Sequence, residues 1–256
     1  MTDLDVRLDG GALWLRLNRP EQFNALTGEM VVTAIEQLRG ATARDDVRVV
    51  VLTGTGGAFS AGADLTGSNP QEKYDAGSVD AANHVVSAII ELDKPVVCGL
   101  NGIAAGVGMS VALACDLVVA TESAALTLAF TRIGLMPDGG ATATVAAAVG
   151  RARAMRLALL SDMLSAQEAF DAGLVSHVFA DADYEAELAK IVRRLAGGPP
   201  LAFAATKRAV NAATLAGLEG AFERERAGQS LLLRTEDVAE GMRAFVDKRR
   251  PQFQGR

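Results

Sequence analysis

Two glycine-rich turns hold the residues of this 256-residue chain whose types and spacing suit chemistry. One, Phe59-Ser60-Ala61-Gly62-Ala63-Asp64-Leu65, follows the strand-like Val49-Val50-Val51-Leu52. The other, Asn101-Gly102-Ile103-Ala104-Ala105-Gly106-Val107-Gly108, follows Pro95-Val96-Val97-Cys98. Small residues let a backbone come close to a ligand, and a helix that opens in such a turn leaves amide N–H groups unpaired. Two such amides in a dry pocket form an oxyanion hole, a device for chemistry on a carbonyl such as a thioester. The second turn also loosely matches a dinucleotide fingerprint. No acidic residue follows it in the required βαβ setting, and the oxyanion reading accounts for both turns.

The elements that must position these turns read as follows. Leu4–Leu8 and Leu13–Leu17 alternate around Asp9-Gly10-Gly11 and predict a β-hairpin. Thr27 is placed to cap a helix running to about Arg39. Strands are expected over Val47–Leu52, Pro95–Leu100, Leu117–Ala120 and Leu126–Leu128, and helices over Val79–Leu92 and Val107–Ala114. The polar stretch Thr66–Gly77 reads as a loop. Strands alternating with helices argue for an α/β fold. From about Gly139 onward the signal is mostly helical, with a capping box at Ser165-Ala166-Gln167-Glu168. Gly197-Gly198-Pro199-Pro200 breaks the pattern, which divides the chain into a core over 1–196 and a helical region over 197–256. That tail is too short to bury a core alone and is expected to pack on the body, on another subunit, or on both.

Half of the residues are hydrophobic and the net charge is −6, with no long basic run, so nucleic acid is excluded as a partner. Asp116 and Glu122 interrupt the most apolar stretch, so no membrane span is expected. The acidic, alternating N-terminus does not read as a signal peptide, and a cytoplasmic protein is expected. Cys98 and Cys115 sit in apolar surroundings and read as reduced core residues. His84 and His177 have no metal-ligand spacing, and no metal site is expected.

In order along the chain stand Leu17-Asn18-Arg19-Pro20 with Asn24-Ala25-Leu26, Ala58 to Leu65, Lys94-Pro95, Asn101 to Gly108 and Ala114-Cys115-Asp116. Gly134-Leu135-Met136-Pro137-Asp138-Gly139-Gly140, Ala172-Gly173-Leu174-Val175, Ala205-Thr206-Lys207 and Phe245 to Arg249 follow. This ordered set resembles the enoyl-CoA hydratase/isomerase (crotonase) superfamily over essentially the whole chain. The resemblance implies a crotonase-like spiral of ββα units with a C-terminal helical region serving oligomerisation. It also implies a homotrimer or dimer of trimers and an acyl-CoA thioester, with coenzyme A part of the substrate and no separate cofactor. Carried over by motif, the oxyanion donors are the amides of Ala63 and Val107, and Phe23, Ala25, Ala61, Asp64 and Leu65 lie on the coenzyme A side.

The two glutamate positions of family hydratases fall on Ser110 and Phe130, and neither residue is a carboxylate base. That favours the aspartate-type isomerases, with Asp138 as the one base in a Pro-Asp turn similar to that of ring-epoxide phenylacetyl-CoA isomerases. Phe130, Ile133, Leu135 and Met136 are near enough in sequence to desolvate Asp138 and raise its pKa. Asp138 also reads as a cap for the helix after Gly139, and Asp64 as a cap that holds its own turn. Ser110 reads as a helix-packing residue or as part of the acyl pocket. Phe130 reads as part of the acyl pocket, and His84 as a core histidine, as a wall of that pocket or as a second polar group beside Asp138. Lys248-Arg249-Arg250 reads as a solvated helix end or a contact for phosphate groups. An atypical hydratase, a dehalogenase-like nucleophile and a non-catalytic acyl-CoA binder are the competing functions. One Trp and 5% aromatics give the aryl chemistry poor support.

Overall fold

The computed structural model describes residues 2–65 and 74–256. β1 (Leu4–Asp9) and β2 (Ala12–Leu17) form the expected antiparallel hairpin. Thr27 caps α1 (Gly28–Ala41), its hydroxyl accepting from the Met30 amide at 3.2 Å. Three ββα units then follow in sequence. The first is β3 (Val49–Gly54), β4 (Ala58–Ser60) and α2 (Ala76–Glu91). The second is β5 (Val96–Leu100), β6 (Ile103–Ala105) and α3 (Val107–Ala114). The third is β7 (Leu117–Thr121), β8 (Ala125–Thr127) and α4 (Ala141–Leu160). They lead to β9 (Leu164–Ser165), α5 (Ala166–Asp171), β10 (His177–Phe179) and α6 (Tyr184–Ala196). The chain ends in α7 (Pro200–Thr214), α8 (Leu218–Leu232) and α9 (Glu236–Val246).

The first strand of each unit joins a six-stranded sheet of order β1-β2-β3-β5-β7-β10, and the second joins a smaller sheet of order β4-β6-β8-β9. Each unit therefore steps from the large sheet to the small one, which is the expected spiral. Strand β3 is apolar at four successive positions because both of its faces are covered. Val50 and Leu52 enter the main core, while Val49 and Val51 pack with Tyr184, Leu188 and Val192 of α6 on the opposite face.

Helix α2 starts three residues earlier than its apolar periodicity suggested. Asp75 and Ser78 form a reciprocal capping box, so the expected loop ends at Asp75 rather than Gly77. The loop's residues 66–73 lie outside the described residues. The break begins at Gly197, directly after α6, and its last residue, Pro200, opens α7. Lys207 fastens α7 to the body: its Nζ donates to the Ile89 carbonyl at 2.7 Å and the Asp116 carboxylate at 2.9 Å. Helix α8 packs on α2 and α4, and α9 on the short turn Ala129–Ile133, so the tail does pack on the body. Among the described residues no helix is long and apolar enough to cross a membrane.

Candidate active site

Ala63 sits in a single parallel bridge to Leu26. The Leu26 amide donates to the Gly62 carbonyl at 2.7 Å, and the Asp64 amide donates to the Leu26 carbonyl at 3.2 Å. A residue flanked in this way turns its own N–H away from the partner strand. Val107 is the first residue of α3, after Gly106 at φ +54. Its amide is one of the helix's orphan donors. Neither amide has a protein acceptor among the described residues. The two turns abut at Gly62, whose φ is +95 and where an added Cβ would lie 2.8 Å from the Ala105 carbonyl and 3.6 Å from the Val107 nitrogen. Both turns border a cavity of about 480 Å³.

Two side-chain amides brace this wall, Asn24 buried and Asn101 half-buried. Asn24 donates to the carbonyls of Thr55 (2.9 Å) and Ala58 (2.7 Å) and accepts from the Arg19 amide at 2.9 Å. Asn101 accepts from the Gly54 amide at 2.9 Å and donates to the Gly56 and Ala58 carbonyls at 2.9 and 3.0 Å. Phe23, Ala61 and Leu65 border the cavity, and Phe23 is 62% exposed at its lip. Ala25 is buried outside the lining, with its carbonyl taken by Arg19. Asp64 forms an ion pair with Arg19 at 3.0 Å and faces a smaller neighbouring cavity.

Asp138 borders the same large cavity and is 8% exposed. Gln229 of α8 donates to its Oδ2 at 2.7 Å, while its Oδ1 is buried with no partner among the described residues. Burial pushes this carboxyl up to about 7; the Gln229 hydrogen bond opposes the shift and the nearby charge of Glu225 adds to it. The side chain does not cap α4. That work falls to Glu225, whose carboxylate accepts from the amides of Gly140 (2.7 Å) and Thr142 (2.9 Å) and from the Thr142 hydroxyl (2.5 Å). Helix starts favour a carboxylate for the same reason whether it comes from the preceding turn or from another helix. Glu225→Ala leaves those buried donors unmatched, at a cost of about 3 kcal/mol. Denaturant unfolding is expected to show that loss, and an unchanged midpoint would refute the capping role.

Ser110 is fully buried behind the cavity wall, where its hydroxyl donates to the Asp138 carbonyl at 2.8 Å. It holds the Asp138 turn against α3 and does not line the cavity. Phe130 does line the cavity. His84 is a correction to the sequence reading. It is exposed and lies outside the lining, because its neighbours Asn83, Val85 and Val86 take the buried face of α2. Arg249 is paired with Glu240 at 2.5 and 2.9 Å, so that part of the basic run is satisfied within the chain.

Sequence reasoning missed Glu225 and Gln229. A signal was present: with Phe222 they form one buried stripe on α8, and two polar residues on an apolar stripe require partners. Leu233, Met242 and Phe245 of the C-terminal region also line the cavity, so this region completes the site.

Two unpaired amides on one wall and one buried carboxyl on another can stabilise charge on a carbonyl oxygen and move a proton beside it. The pattern of the enoyl-CoA hydratase/isomerase family matches residues 8–256. The chain belongs to that family. It is 37% identical over 254 residues to the 1,2-epoxyphenylacetyl-CoA isomerase of Escherichia coli, covering 97% of each chain. It is 39% identical to a probable enoyl-CoA hydratase of Rhodobacter capsulatus, covering 96% of this chain and 95% of that one. Among solved structures, an enoyl-CoA hydratase from Mycobacterium avium subsp. paratuberculosis superposes with a TM-score of 0.93 at 46% identity, covering 99% of both chains.

Proposed function

We propose that the protein isomerises an unsaturated acyl-CoA with Asp138 as its one base. Asp138 breaks a C–H bond of the substrate and takes the proton, and the electron pair enters a dienolate. The Ala63 and Val107 amides hold the negative thioester oxygen. The proton then returns to another carbon and the double bond re-forms one position along. The observation that carries this reading is the buried Asp138 carboxyl on the wall of the cavity that both amides border. The other aspartate among the described lining residues, Asp75, has its carboxylate engaged in the cap of α2. The similarity to an epoxyphenylacetyl-CoA isomerase supports the same choice. Coenzyme A enters as part of the substrate.

A base must be ionised to act, so kcat/KM is expected to rise with pH and level off above about 7. A flat profile between pH 5 and 8, on the order of one decade or less, would count against Asp138.

Hydration is the second reading, favoured by the relatives named as hydratases. The purified protein is incubated in heavy water with 2-enoyl-, 3-enoyl-, dienoyl- and ring-epoxide CoA thioesters. Isomers separable by chromatography without gain of water support the proposal. Gain of water establishes a hydratase, and no change with any thioester counts against both readings.

A further inference from the structure

We propose that Gln229 is a positioning residue that reserves one oxygen of the Asp138 carboxyl, Oδ1, for the travelling proton, so that the proton taken from the substrate is the one given back. The inference deepens the isomerase reading and rests on it.

The orientation of Gln229 is set from outside the pair. The Met136 amide donates to Gln229 Oε1 at 3.3 Å, which leaves the Gln229 NH2 group as the side facing Asp138. That group donates to Oδ2 at 2.7 Å. Gln229 is itself 1% exposed on the buried stripe of α8, so its amide has little freedom to turn away. A proton on Oδ2 along the same line would set donor against donor. The neutral acid therefore carries its hydrogen on Oδ1, the oxygen that has no partner among the described residues. Ser110 approaches from α3 but donates only to the Asp138 backbone carbonyl. The charged group that acts on the carboxyl is Glu225, whose own oxygens are occupied by Gly140 and Thr142.

The consequence is a division of labour between the two oxygens. Oδ2 is held as a hydrogen-bond acceptor through the whole cycle. Oδ1 receives the proton as the C–H bond breaks and releases it as the new C–H bond forms, and no other reactant is consumed. Because Oδ1 is shielded from solvent, the proton is returned before it exchanges with water.

The test uses full-length protein labelled with carboxyl-13C aspartate, with the Asp138 resonance assigned by its loss in Asp138→Asn. Wild type, Gln229→Met and Gln229→Glu are titrated without substrate. Gln229→Met removes the donated hydrogen bond, and the proton affinity of Asp138 is expected to rise about tenfold. Gln229→Glu keeps an acceptor for the Met136 amide but replaces the donor with a second carboxyl, and is expected to raise it further. Midpoints unmoved in both folded variants overturn the inference. Isomerisation in heavy water gives the second readout. Wild-type product is expected to keep mostly substrate hydrogen, and Gln229→Met product to gain several-fold more solvent deuterium. Equal deuterium in the two proteins overturns the proton-return role. A wild-type protein that isomerises none of the thioesters overturns the isomerase reading and with it the proton return, while the titration alone decides whether Gln229 holds the carboxyl.

Discussion

Asp138→Asn is expected to lower isomerase turnover by ~10³-fold, in the range general acid–base groups supply, while leaving the protein folded. The substitution keeps the shape of the side chain and an oxygen to accept the 2.7 Å hydrogen bond from Gln229. It removes only the ability to take and give a proton. The same variant carries a stability signature of opposite sign. The folded carboxyl titrates at about 7 against an ordinary value of 3.8, chiefly because of burial. Below pH 4 the group is neutral in both states and contributes nothing. Between pH 4 and 7 the unfolded chain releases its proton while the fold retains it, so the wild type loses stability as the pH rises. Above pH 7 the full penalty, up to about 4 kcal/mol, is present. Asp138→Asn escapes it, so at pH 8 the variant is expected to be the more stable protein and at pH 4 the two are expected to match. Activity assays and urea unfolding at both pH values check the pair of outcomes. A variant that isomerises at the wild-type rate would remove Asp138 from the mechanism.

Gly62→Ala is expected to lower turnover by ~10²–10³-fold, the effect of losing one oxyanion donor. Gly62 adopts φ +95, a region that side chains other than glycine rarely occupy, and a Cβ there would sit 2.8 Å from the Ala105 carbonyl. The clash is with backbone, so the turn must shift, and the Ala63 amide is carried on the adjacent residue. The loss should fall on kcat and kcat/KM together, because the donor acts on charge that develops only during reaction. Gly40→Ala is the control: it lies in α1 with nothing within 4 Å of an added Cβ. Full activity in Gly62→Ala would show that the Ala63 amide does not carry the oxyanion.

Much of this site was legible before folding was considered. The continuous apolar run at Val49–Leu52 identified a strand covered on both faces, and the structure covers it with the main core and with α6. Gly62 and Gly106 flagged backbone that side chains would disturb, and both have positive φ. Thr27 and Ser165 announced helix starts, because capping is a local bargain between a side chain and amides two or three residues on. His84 was misplaced for a related reason. Periodicity gives the helix, but its neighbours decide which edge of the apolar face is covered, and His84 falls on the open edge.

The sequence by itself determined the family, the two turns and the identity of the buried acid, since the turns and the acid lie in short local motifs and the family in the order of such motifs along the chain. Only the tertiary structure decided how Asp138 is held. As a sequence, Asp138 before Gly139-Gly140 reads as a base with a helix cap as the alternative, because the turn offers both amides and apolar neighbours. Glu225, 85 positions from Gly140, takes the cap by accepting from the Gly140 amide itself. Gln229, 91 positions from Asp138, then holds one oxygen of the carboxyl. No local pattern around Asp138 encodes either contact; they exist because α8 folds back across the start of α4.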